Sequence, residues 1–147
     1  MSGILCPIRG GPGSQPAIEL GISLAVETHE PLHFLFVVNL DFLMATERGR
    51  THVLSEEMRG MGEFILLTAQ AKAEKGGVNA GGTVRQGNVM EEIIAMAKEM
   101  EASYIILGRP RQEEGDVFTA DRLETFIEVC ERETGSKVVL TNPVGEP

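Results

Sequence analysis

The sequence predicts an α/β fold built on a five-stranded parallel sheet with helices on both faces. Three observations carry this. Short apolar runs alternate with helical patterns along the whole chain, the signature of strand–helix–strand units. The clearest run, Leu32–Asn39 (LHFLFVVN), is nearly all apolar, as in a parallel strand covered on both sides. Glycines punctuate the ends of runs and helices, at Gly10–Gly11, Gly76–Gly77, Gly108 and Gly135. At 147 residues, close to the ~150 of one domain, a single domain spanning 1–147 is expected.

Gly3–Ile8 (GILCPI) reads as a buried first strand, and Gly10-Gly11-Pro12-Gly13 as a tight loop after it. Ser14 is suited to cap a helix, Pro16 is tolerated in its first turn, and Ala17, Leu20, Gly21, Leu24 and Thr28 recur at helical spacing. That helix runs to about Glu27, and Pro31 opens the second strand, Leu32–Asn39. Residues 41–53 form an excursion, part of it helical. A long helix follows over Leu54–Lys75, with Leu54, Met58, Met61, Ile65 and Ala69 as its inward stripe and Gly76–Gly77 as its stop. A weak third strand over Val78–Arg85 contains Gly81–Gly82, read as a bulge. Asn88 caps a helix over Val89–Glu101 whose inner face is Met90, Ile93, Ile94 and Ala97. Ser103–Leu107 is the fourth strand. After a charged loop, a helix begins at Thr119 or Asp121 with Leu123, Phe126, Ile127 and Cys130 inward, and Lys137–Thr141 is the fifth strand before a frayed tail, 142–147.

Composition excludes several function classes. With 13 Lys+Arg against 22 Asp+Glu the net charge is −9, which disfavours sequence-independent nucleic-acid binding. No apolar run approaches the roughly 18 residues of a membrane span, and no secretory signal is expected. Cys6 and Cys130 lie far apart among apolar neighbours, which reads as two buried thiols in a reducing, cytoplasmic compartment. His29, His33 and His52 have no metal-ligand spacing, and no nucleophile–base–orienter set is visible. No metal, catalytic residue or enzymatic activity is therefore expected.

Four segments resemble the universal stress protein family. ILCPIRGGPGS at 4–14 is similar to the family opening ILVPVDGSEGS, LHFLFVVN at 32–39 to the LHLLHVVD pattern, GNVMEEIIAMAKEMEASYIILGRP at 87–110 to the GDPAEEILELAKELGADLIVMGSR block, and KVVLTNP at 137–143 to the terminal strand. The resemblance implies strand order 3-2-1-4-5 and a homodimer paired through the last strand, Lys137–Thr141. It also implies a nucleotide crevice in which Pro7, Ile8, Val38 and Gly108 line the adenine side. One branch of the family binds ATP through a Gly-x2-Gly-x9-Gly-Ser/Thr motif after the fourth strand, where glycines let backbone N–H groups close on phosphates. Here only Gly108 is kept; Arg111, Asp121 and Arg122 stand at the other positions, and Arg9 replaces an Asp that helps hold the nucleoside.

In a doubly wound sheet the ligand crevice lies beyond the carboxyl ends of the strands, where the strand order reverses. Arg9, Arg109 and Arg111 are expected to converge there. Either they form an anion site with planar guanidinium forks, or Arg109 and Arg111 pair with Glu113, Glu114 and Asp116 in a solvated loop. Arg85 fits either description. The first functional expectation is a non-enzymatic, homodimeric stress-response module that does not bind ATP, needs no cofactor and meets a regulatory protein partner. The alternative is a small-ligand sensor holding an AMP-like nucleotide or another anion through Pro7, Ile8, Arg9, Val38, Gly108, Arg109 and Arg111. A third is slow ATP hydrolysis. Neither nucleic acid nor a membrane is expected as a partner.

Overall fold

The computed structural model describes residues 3–10, 14–39, 48–108 and 120–141, with the side chains of 48–53 and 120–122 excepted. Strands and helices alternate: β1 (Ile4–Pro7), α1 (Gln15–Thr28), β2 (Leu32–Val38), α2 (Arg48–Lys75), β3 (Ala80–Gln86), α3 (Val89–Met100), β4 (Tyr104–Leu107), α4 (Ala120–Thr134) and β5 (Lys137–Leu140). All strand pairs are parallel, and the order is β3-β2-β1-β4-β5. This is the doubly wound α/β fold that the alternating apolar runs predict.

Strand periodicity divides the interior into two layers, because successive side chains face opposite sides of the sheet. Ile4, Cys6 and Ile8 of the β1 segment join Leu32, Phe34, Phe36 and Val38 of β2 against α1 and α2. Leu5, Leu35, Ile105 and Leu107 turn the other way, against Ile93 and Ala97 of α3 and Leu123, Phe126 and Cys130 of α4. The inner faces expected of α3 and α4 are therefore the ones that pack. Asn88 caps α3 as its sequence position suggests, its side chain accepting from the Glu91 N–H at 3.0 Å.

Three local expectations need correction. First, α2 begins at Arg48, so residues 48–53 of the 41–53 excursion extend this helix; the rest of that excursion lies outside the described residues. Second, its buried stripe passes through Leu66, Ala69 and Ala73, while Met61 is 54% exposed. The cause is Gly62: a Cβ there would run into the Phe36 ring, so the helix sits on Phe36 at this glycine and turns Met61 out. Third, Gly81 and Gly82 form no bulge. They pair in unbroken register with His33 and Phe34, and their missing side chains make room for the His33 ring on one face and Leu66 and Gln70 on the other.

Candidate functional site

The strand order reverses between β1 and β4, so the crevice predicted by the topology lies beyond their carboxyl ends. Neighbouring strands bring Pro7 at the end of β1, Ile8 and Arg9 just after it, Val38 at the end of β2 and Gly108 after β4 to this same end of the sheet. Their exposure differs sharply. Val38 is fully buried and Ile8 nearly so, both inside the layer under α1 and α2, so their side chains belong to the core. Pro7 is half-buried, and Arg9 and Gly108 are exposed. Among the described residues, only Thr141 Oγ1, at 3.9 Å, comes near a Cβ placed on Gly108, so there is room beside it. Arg109 and Arg111 lie outside the described residues.

The loop after β1 is tied to itself. The Arg9 N–H donates to Ser14 Oγ at 3.0 Å, and the Ser14 hydroxyl donates to the Gly10 carbonyl at 3.3 Å. Ser14 does occupy the N-cap of α1, yet its side chain makes no capping bond to that helix, contrary to the expectation from sequence, because the hydroxyl is spent on the loop. Gly10 has φ +84, the left-handed region that favours glycine, and an added Cβ would lie 2.6 Å from Ile65 Cδ1. Ile65 of α2 thus closes down on the turn. Neither Ser14 as a loop staple nor Ile65 as the residue over Gly10 was readable from spacing, since both depend on how α2 is laid across the sheet.

On the β3 side, the Gly87 N–H donates to the Val38 carbonyl at 2.9 Å, and Ser55 Oγ donates to Gln86 Oε1 at 2.6 Å. Arg85 is committed elsewhere: its Nε donates to Glu92 at 2.6 Å and its Nη1 to Glu99, two carboxylates one heptad apart on α3. Bonding to Glu92 first and Glu99 second raises its already high pKa. Arg85 therefore belongs to the α3 surface and not to the anion set. Positions 121 and 122 fall in the first turn of α4, which starts at Ala120, so an aspartate stands where a helix N-terminus would favour a phosphate.

Among the described residues, the cysteines and histidines supply no reactive centre; the His52 side chain lies outside them. Cys6 Sγ donates to the Ala17 carbonyl at 3.5 Å, and burial pushes its thiol well above the usual range; burial likewise pushes Cys130 up to about 11. His29 ends α1 with φ 60. His33 shares a hydrogen bond of 2.7 Å with Thr83 Oγ1, and burial lowers its pKa. Among the described residues, no group of three or more His, Cys, Asp or Glu is placed to hold a metal ion, and no helix is long and apolar enough to cross a membrane.

Solved structures share this fold at low identity. A protein of the universal stress protein family from Burkholderia pseudomallei is 22% identical with TM-score 0.71, over 93% of this chain and 92% of that one. Universal stress protein UspA from Lactobacillus plantarum is 17% identical with TM-score 0.75, over 96% and 97%. The universal stress protein from Archaeoglobus fulgidus in complex with dAMP is 11% identical with TM-score 0.63, over 97% and 98%. No curated protein matches the sequence significantly. The model of the Universal stress protein family matches residues 1–119, well over half of the 147, and the chain belongs to that family.

Proposed function

We propose that this chain is a non-enzymatic, cytoplasmic universal stress protein that does not seat a triphosphate and acts as a homodimeric regulatory module in a stress response, meeting a protein partner. The observation that carries this reading is the state of the phosphate motif. Of its four positions only Gly108 remains, and the last two are Asp121 and Arg122, in the first turn of α4. Side chains at 111, 121 and 122 keep the main chain from closing on phosphates, and an aspartate at a helix N-terminus repels them. The Arg9 N–H, bonded to Ser14, is not available to a ligand either. β5 lies at the edge of the sheet with Val138, Val139 and Leu140 half-buried, which suits pairing with a second copy. Two free, buried cysteines suit a reducing compartment.

A second reading is favoured by three observations. Arg9 is exposed at the crevice, and among the described residues only Thr141 comes near a Cβ placed on Gly108. A relative with this fold was solved with dAMP. In this reading the crevice takes AMP or a simple anion, with the Arg9 guanidinium against the phosphate and Arg109 and Arg111 as further donors. Thermal unfolding with Mg-ATP, ADP, AMP and inorganic phosphate separates the two, because a ligand that binds only the folded state raises its midpoint. The first reading expects no shift with any of them. A shift with AMP or phosphate that disappears in Arg9→Ala establishes the sensor instead, and a shift with Mg-ATP larger than that with AMP overturns both.

A further inference from the structure

Both outer edges of the sheet have a backbone group occupied by a side chain of the adjacent helix. In β5 the N–H groups of Lys137 and Thr141 donate inward, to the carbonyls of Ser103 and Leu107 at 2.9 and 3.0 Å. Backbone groups of a strand turn alternately to its two sides, so the N–H groups of Val138 and Leu140 point away from β4, where the sheet has ended. The Val138 N–H is not left to solvent. It donates to Glu131 Oε2, in an exposed carboxylate on α4, at 2.9 Å. At the opposite edge, the Asn79 carbonyl accepts from β2, the next carbonyl faces outward, and Gln70 Nε2 of α2 donates to it, at Ala80, over 3.1 Å.

The geometry points to Glu131 as a latch on the β5 edge: its carboxylate and an incoming second copy of this chain compete for the Val138 N–H, so self-pairing through β5 requires Glu131 to swing away. A carboxylate-to-N–H bond is stronger than one between neutral groups, so the latch is not displaced for nothing. An isologous pair of β5 strands also brings two copies of Glu131 to one interface, where their like charges oppose each other. The latch thus weakens pairing along a strand whose Val138, Val139 and Leu140 side chains favour it. This inference rests on the reading that the chain pairs through β5.

Sedimentation equilibrium of the full chain tests it with the native sequence, Glu131→Ala, Glu131→Gln, Val138→Pro and the Glu131→Ala, Val138→Pro double variant. The latch requires Glu131→Ala to tighten the dimer about tenfold or more, and Glu131→Gln to do so less, since its amide oxygen still accepts. Proline at 138 removes the outward donor together with the Val138 side chain that packs on the layer under α3 and α4. Sheet edges tolerate proline, and the substitution abolishes association in both backgrounds while the cooperative melt persists. Should that variant unfold, Val139→Lys is read in its place. An unchanged dissociation constant in Glu131→Ala, with Val138→Pro still breaking the dimer, sinks the latch and leaves β5 pairing intact. Association indifferent to Val138→Pro, or absent in every variant, overturns β5 pairing and the latch together.

Discussion

At the scale of single residues, the protein uses polar side chains to hold its own backbone and its own helices. Ser14 closes the loop after β1, Arg85 joins β3 to Glu92 and Glu99 of α3, and His33 joins β2 to β3 through Thr83. His33 gives a testable pH dependence. Burial lowers its pKa below the usual 6.5, so the folded protein binds the proton less tightly than the unfolded chain. The stability that follows is complete above pH 6.5 and is lost as the pH falls through the lower, folded value. Urea titrations between pH 5 and 8 should show the native protein losing more stability on acidification than His33→Gln; parallel curves would show that the ring carries no such linkage. Such residues were only partly legible in the sequence. Asn88 was, because its capping role depends on a partner three residues away. Arg85 was not, because its partners depend on how α3 lies against β3.

At the scale of elements, the continuous apolar runs made the parallel sheet legible, and the 3.6-residue spacing made the inner faces of α3 and α4 legible. The long helix α2 was harder. Its residues Phe64 and Leu67 are 70% and 64% exposed, so hydrophobicity does not mark its buried face, and the face that does pack is marked by Gly62, Ala69 and Ala73. Small residues signal close approach only once the neighbour is known, here the Phe36 ring. The structure makes that contact a test. Gly62→Ala gains up to ~1 kcal/mol of helix propensity and places a methyl into Phe36, so a net loss of about 1–2 kcal/mol is expected in urea unfolding. Adding Phe36→Leu should recover part of that loss, because two residues in contact couple. A Gly62→Ala protein more stable than the native one would contradict the packing of α2 on β2.

At the scale of the whole molecule, the strand order is 3-2-1-4-5 and the chain belongs to the Universal stress protein family, as the resemblance in the sequence implied, and this topology predicts a ligand crevice beyond β1 and β4. Which residues of that crevice a ligand could use was not legible, because it depends on burial: Ile8 and Val38 are core, whereas Arg9 faces solvent. Arg109 and Arg111, the other members of the anion set, lie outside the described residues. The central claim concerns what the loop after β4 and the start of α4 can hold, with one glycine of the family motif left and an aspartate at position 121. Titrating Mg-ATP into the protein in a calorimeter tests it most directly. The claim requires no saturable heat, corresponding to a dissociation constant of roughly 1 mM or weaker. Saturable binding at one nucleotide per chain, about a thousandfold tighter and weakened when the γ-phosphate is removed, would contradict it.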